Sequence, residues 1–202
     1  MREKTDLGDE TWRVFCAVAL PRDLHERLTT HINCIRDAVP DARASWSRAD
    51  NIHLTLKFLG DIPLLQVEKL SQAASRSVED IAPFQIVLEQ TGAFPPHGSP
   101  RVLWIGVNDL EGKLGKLRAR LEDESAQAGF PRDSRPFHPH LTLARLRKPQ
   151  HSRTLASAHK AMEFEPAEIS VSELLVIRSE LSSEGSKYTV VSRHALGSSG
   201  KP

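Results

Sequence analysis

The stretch HLTLKFLG at 53–60 has a near-copy, HLTLARLR, at 140–147. Each opens His-Leu-Thr-Leu, and the second starts 87 residues after the first. On a β-strand, side chains two positions apart share a face, about 6.5–7 Å from one another. His53 with Thr55, and His140 with Thr142, therefore stand on one face of their strands. Leu54, Leu56, Leu141 and Leu143 share the other face and anchor it. Two imidazoles and two hydroxyls around one small volume suit a reaction that takes one proton and gives another. An imidazole titrates near about 6.5, so one ring can be basic while its partner is acidic. In-line displacement at phosphorus makes that demand, and threonine hydroxyls can donate to non-bridging phosphate oxygens. Such a site requires no metal. A single His-x-Thr is common on structural strands, and packing alone explains repeated leucines. It gives no reason to repeat the histidines and threonines on the opposite face.

Apolar periodicity indicates the elements that must carry these residues. WRVFCAVALP (12–21) reads as a buried strand, and the segment after it as a helix through Leu24, Leu28, Ile32 and Ile35. ASW reads as a short strand, 51–59 as a longer one closed by Gly60, and 63–81 as a second helix entered at Pro63. Two strands, 84–94 and 101–107, precede a third helix over 110–128 carrying Leu110, Leu114, Leu117 and Leu121. The second motif strand, a short helix near 151–162 and strands at 167–178 and 187–196 complete the order. Hairpin-like strand pairs mixed with single helices indicate an α+β fold with antiparallel sheets, not a doubly wound parallel one. One motif in each half predicts two similar lobes across a cleft.

Composition narrows the function classes. At 202 residues the chain suits one large domain or two small lobes on a shared core. Its net charge of +1 provides no bulk field for long duplex DNA, so a nucleic acid would have to be gripped locally. Cys16 and Cys34 have no metal-like spacing, and Cys16 reads as a buried free thiol. No apolar run approaches the roughly 18 residues of a membrane span, and the start resembles no signal peptide. The expectation is a cytoplasmic protein, with residues 1–11 and 197–202 as solvated tails around a domain at 12–196.

These residues together resemble the two-histidine phosphoesterases, specifically the LigT-like RNA 2′,3′-cyclic phosphodiesterases (ThpR proteins), once described as 2′-5′ RNA ligases. RVFCAVALP is similar to the family's first strand, NIHLTLKFLG to its first motif, and RPFHPHLTLAR to its second. PRVLWIGV is similar to a core strand, and SELLVIRSELSSEGSKYTVV, with Tyr188, to the closing hairpin. The resemblance implies a bilobal α+β fold with pseudo-twofold-related lobes, outer helices and a central active-site cleft. It implies metal-free, cofactor-free hydrolysis of RNA 2′,3′-cyclic phosphate ends to 2′-phosphomonoesters. His53 would be the general acid and His140 the general base, with Thr55 and Thr142 holding the phosphate. The partners implied are RNA ends or nucleotides bearing the cyclic phosphate, handled by a monomer with no obligate protein partner. Two alternatives stay open: the same site joining a cyclic phosphate end to a 5′-hydroxyl, and a non-catalytic RNA-end or nucleotide-binding module.

Other residues carry weaker assignments. In the family the arginine matching Arg145 lies by the substrate phosphate or base. Strict alternation points Arg145 away from His140, so that role needs a strand end or a bulge. Alternation puts Lys57 beside His53 and Thr55, where it would neutralise phosphate, although Ala144 holds the matching place in the second copy. Phe15 or Phe58 would stack on a nucleobase, in competition with core packing. His138 reads as an outer residue on the His140 face. His25, His31, His97, His151, His159 and His194 read as surface residues.

Overall fold

A computed structural model describes residues 10–182 and 185–197. Of the expected tails at 1–11 and 197–202, residues 1–9 and 198–202 lie outside the described residues, and Thr11 already belongs to the first strand. Two antiparallel sheets carry the fold. Strands β1 (Thr11–Val18), β3 (Leu54–Pro63), β8 (Glu173–Ser182) and β9 (Gly185–Ala195) form the first, in the order β3-β1-β8-β9. The second has the order β2-β6-β5-β4-β7, built from β2 (Ala44–Trp46), β4 (Phe84–Phe94), β5 (Val102–Asn108), β6 (His140–Leu146) and β7 (Ala167–Val171).

The helices are amphipathic, and each buries one face. Helix α1 (Arg22–Ala38) buries Leu24, Leu28, Ile32 and Ile35, at the spacing that puts side chains on one stripe. Helix α2 (Leu64–Val78) does the same with Val67, Leu70, Ala74 and Val78, and α3 (Lys113–Gln127) with Leu114, Leu117 and Leu121. Helix α4 (Ser152–Ala161) buries Leu155 and His159. Helices α2 and α3 pack together against strands of the first sheet, whereas α4 contacts β4 of the second and α1 contacts α4. A continuous apolar core runs through both lobes, from Val14 and Leu54 to Leu103 and Leu141.

The lobes are not simply the two halves of the chain. Each half contains strand, helix, motif strand, helix and strand, and each half's late strand crosses over. Strand β4 pairs with β5 in the second sheet, and β8 pairs with β1 in the first. That exchange ties the lobes together. It also explains why the expected strand at 167–178 is two strands: β7 pairs with β4, and after Ser172 the chain enters β8 beside β1.

Several boundaries differ from the sequence reading for local reasons. A 3-10 turn at Ala49–Asn51 precedes the first motif, so β3 begins at Leu54. Gly60 does not end that strand; at φ +75° it bends it beside the unpaired Leu59, and pairing resumes to Pro63. Helix α3 starts after Gly112, in the left-handed conformation, which leaves Leu110 exposed and off its apolar stripe.

Candidate active site

The two motif strands meet at a cleft of about 960 Å³ between the sheets, lined by His53 and Thr55 from one lobe and His140 and Thr142 from the other. The two copies bury their residues in the same order. In 53–58 and in 140–145 the pattern is half-buried, buried, half-buried, buried, buried, exposed. Two consecutive buried residues break the alternation, and the pairing shows why. Opposite β1, Thr55 pairs with Ala17 and Lys57 with Cys16, leaving Leu56 extra. Opposite β5, Thr142 pairs with Trp104 and Ala144 with Leu103, leaving Leu143 extra. Each motif thus ends in a β-bulge at its second leucine, which reverses the facing of all that follows.

The bulge decides the weaker assignments. Arg145 is turned onto the cleft wall with His140 and Thr142. Lys57, in the position of Ala144, is turned inward: it is 3% exposed and absent from the cleft lining. The phosphate contact expected of Lys57 is therefore not what the structure offers, because alternation fails one residue before it. Its Nζ donates to Glu122 Oε2 at 2.6 Å and to the Pro131 carbonyl at 2.8 Å.

Phe58 takes the place that Arg145 takes in the second copy. It is 47% exposed on the cleft, with the Arg13 guanidinium 4.8 Å from its ring centroid. Phe15, expected to stack on a base, is 3% exposed and serves as the floor under His53, with ring centroids 4.4 Å apart. A ring already stacked on imidazole has little face left for a base.

The imidazoles are held in the same way. His53 Nδ1 donates to the Asn51 carbonyl at 2.8 Å, and His140 Nδ1 to the His138 carbonyl at 2.7 Å. Each bond reaches back two residues, fixes the tautomer with the proton on Nδ1, and leaves Nε2 free for chemistry. Rings brace both edges: Tyr188 stands edge-on to His53 at 5.2 Å, and Phe94 edge-on to His140 at 5.2 Å. Burial pulls both imidazoles below their ordinary pKa, against the raising effect of the carbonyl bonds. Arg145 and His138 lower His140 further.

Sequence reasoning missed part of the lining. Arg13, Arg118 and Arg135 join Arg145 there, with Asp133 salt-bridged to Arg135 at 2.6 Å. They come from β1, α3 and the irregular segment before β6, so no local motif marks them. His138 lines the cleft too, and its more important group is its backbone carbonyl. His31 and His159, read as surface residues, are buried against one another with 3.3 Å between Nε2 and Nδ1. Among the described residues, no group of three or more His, Cys, Asp or Glu is placed to hold a metal ion.

Comparison with known proteins gives a consistent picture. The family model described as the 2′-5′ RNA ligase superfamily matches residues 10–182. A protein of Methanothermobacter thermautotrophicus named RNA 2′,3′-cyclic phosphodiesterase is 33% identical over 180 residues, which are 88% of this chain and 95% of that one. One of the same name from Aquifex aeolicus is 36% identical, over 75% of this chain and 81% of its own. The crystal structure of Escherichia coli LigT complexed with 3′-AMP superposes with a TM-score of 0.72 at 28% identity, covering 94% of this chain and 100% of LigT. With its whole fold and most of its length matched, the chain belongs to the 2′-5′ RNA ligase superfamily.

Proposed function

We propose that this protein is an RNA 2′,3′-cyclic phosphodiesterase that hydrolyses the cyclic end to a 2′-phosphomonoester. The observation that carries this reading is the paired construction: two bulged strands each present an imidazole with a free Nε2 and a threonine to one cleft. In the reaction, water attacks phosphorus and gives a proton to His140 Nε2. The bond from phosphorus to O3′ breaks, and His53 Nε2 supplies the proton that O3′ takes up. Thr55 and Thr142 donate to the non-bridging oxygens, and Arg145 offsets their charge. Every proton is placed by side chains of this chain. The names of the relatives and the 3′-AMP bound by LigT support the substrate class.

Substitution of the histidines tests this. His53→Ala and His140→Ala are each expected to lower kcat for a 2′,3′-cyclic nucleotide by about 10²–10⁴-fold with the fold intact. The double variant should be little worse than either, because both groups act on one displacement. Multiplicative losses would place them in separate steps. A near-normal single variant would leave the repeat with one working half.

One observation favours a second reading, the reverse joining of a cyclic phosphate to a 5′-hydroxyl. A cavity of about 410 Å³, lined by Phe94, Trp104, Asn108 and His138, adjoins the cleft at His140. It offers room for a nucleoside whose hydroxyl replaces the water. Incubating a cyclic-phosphate donor with a 5′-hydroxyl oligonucleotide, and finding no joined product, would remove this reading.

A further inference from the structure

The buried pair Lys57–Glu122 takes no part in the reaction above, yet it joins the two half-sites. Lys57 lies two residues after Thr55 on β3, in the first sheet. Glu122 lies on α3 and is 5% exposed. Its Oε2 accepts from Lys57 Nζ at 2.6 Å and from the Asp133 backbone N–H at 3.2 Å. Lys57 also donates to the Pro131 carbonyl at 2.8 Å. Both contacts seize the segment 131–139, which has neither helix nor strand of its own and leads directly into β6. Arg118, one turn before Glu122, adds a hydrogen bond to the Asp133 carbonyl at 3.4 Å and lies 4.9 Å over the Phe137 ring. The segment ends with the His138 carbonyl against His140 Nδ1.

A buried ion pair contributes little net stability compared with apolar residues of similar volume, because desolvating both charges offsets their attraction. Its value here is geometric. The segment is tied to β5 at its far end by one backbone bond, from the Val107 N–H to the Pro139 carbonyl at 3.3 Å. Two charge-assisted hydrogen bonds to its backbone at Pro131 and Asp133 supply the constraint at its start. We infer that Lys57 and Glu122 are positioning residues for His140: from the first lobe they clamp the 131–139 segment, and thereby the His138 carbonyl that orients the second imidazole. The inference rests on His140 being a working group of the site. It gives the lysine of the first motif a function that its place in HLTLK does not suggest.

The test compares wild type with Glu122→Gln, which keeps the side-chain shape, and with Lys57→Met/Glu122→Met, which replaces the pair by apolar groups. Histidine ring resonances are followed by long-range ¹H–¹⁵N NMR against pH, with circular dichroism confirming the fold. In both variants His140 is expected to lose its single Nδ1–H tautomer, and its pKa to rise toward the ordinary value as the loosened segment admits water. His53, anchored to Asn51 in the other lobe, should be unchanged and serves as the internal control. Turnover of a 2′,3′-cyclic nucleotide should fall by about 10- to 100-fold in kcat/KM, the cost of a misplaced catalytic group. A folded variant whose His140 tautomer, titration and kcat/KM match wild type would overturn the clamp. Equal shifts at His53 and His140 would also overturn it, showing general loosening instead. If the double variant fails to fold, Glu122→Gln alone decides. The spectra need no substrate, so they judge the clamp separately from the phosphodiesterase reading, which fails only if wild type does not turn over.

Discussion

The proposed chemistry rests on four residues, and the two imidazoles among them are oriented by backbone carbonyls that no motif records. Bonds from Nδ1 to the Asn51 and His138 carbonyls turn Nε2 of each ring to the cleft, and burial lowers both pKa values. Both shifts favour the neutral form of the rings in the free enzyme at pH 7. A general acid must be protonated, and a bound phosphate anion favours that form. The kcat/KM profile, which reports the free enzyme, should trace a bell whose alkaline limb lies below the ordinary imidazole value of about 6.5. In the complex the anion raises the pKa of the acid, so the alkaline limb of kcat should lie at higher pH. His53→Ala should remove mainly the alkaline limb of the residual activity, and His140→Ala mainly the acid limb. Limbs lost in the opposite order would swap the two roles, and a flat profile from about pH 5 to 9 would exclude paired imidazoles.

At the scale of elements, the repeated bulge is the decisive feature. HLTL was legible as a strand with its His and Thr on one face, because alternation holds as far as the threonine. It fails at Leu56 and Leu143, where nothing in the residue types announces an extra residue, so Lys57 and Arg145 were read from the wrong face by periodicity. The resemblance implies a place for Arg145 by the substrate, and the structure puts it on the cleft lining, whereas alternation points it away. Phe58, as the counterpart of Arg145, is the base-stacking candidate. Phe58→Ala should raise KM for a cyclic nucleotide by about 5- to 100-fold, matching the worth of one base–aromatic contact, while Phe58→Trp retains binding. An unchanged KM in Phe58→Ala would return the residue to packing. Helices α1 and α4 carry a second feature hidden from pattern reading. His159 Nε2 donates to the Trp104 carbonyl at 2.9 Å, so its Nδ1 accepts from His31. Burial pushes His31 down to about 4. Its folded pKa lies below its unfolded value, so the unfolded chain binds more protons between them. Stability is full above about pH 6.5, falls as pH drops toward 4, and loses up to roughly 3 kcal/mol from this group. Thermal melts should show that fall, and His31→Phe should flatten it; an identical slope in the variant would assign the acid sensitivity elsewhere.

The whole molecule explains why one site needs both halves of the chain. Exchange of β4 and β8 between sheets makes the lobes a single packed body, and the cleft collects arginines from β1, α3, β6 and the segment before β6. The order of elements was largely legible because the longer helices carry regular apolar stripes and most strands are bounded by turn residues; the break between β7 and β8 at Ser172 carries no such mark. The exchange was not, because pairing partners are chosen by tertiary packing and leave no periodic trace. The same holds for Arg13, Arg118 and Arg135, which converge only once the lobes close. On a chain of net charge +1, this local convergence gives the cleft the cationic side chains that the proposed phosphate site calls for. The proposed reaction is one displacement at phosphorus run by side chains alone. Its most direct test is ³¹P NMR of a 2′,3′-cyclic nucleotide turned over in H₂¹⁸O with excess EDTA. The expected result is undiminished turnover to a single product, the 2′-phosphomonoester carrying one ¹⁸O on phosphorus. A 3′-phosphate product would contradict the protonation of O3′ by His53, and activity lost to EDTA and restored by a divalent ion would contradict a site made of side chains alone.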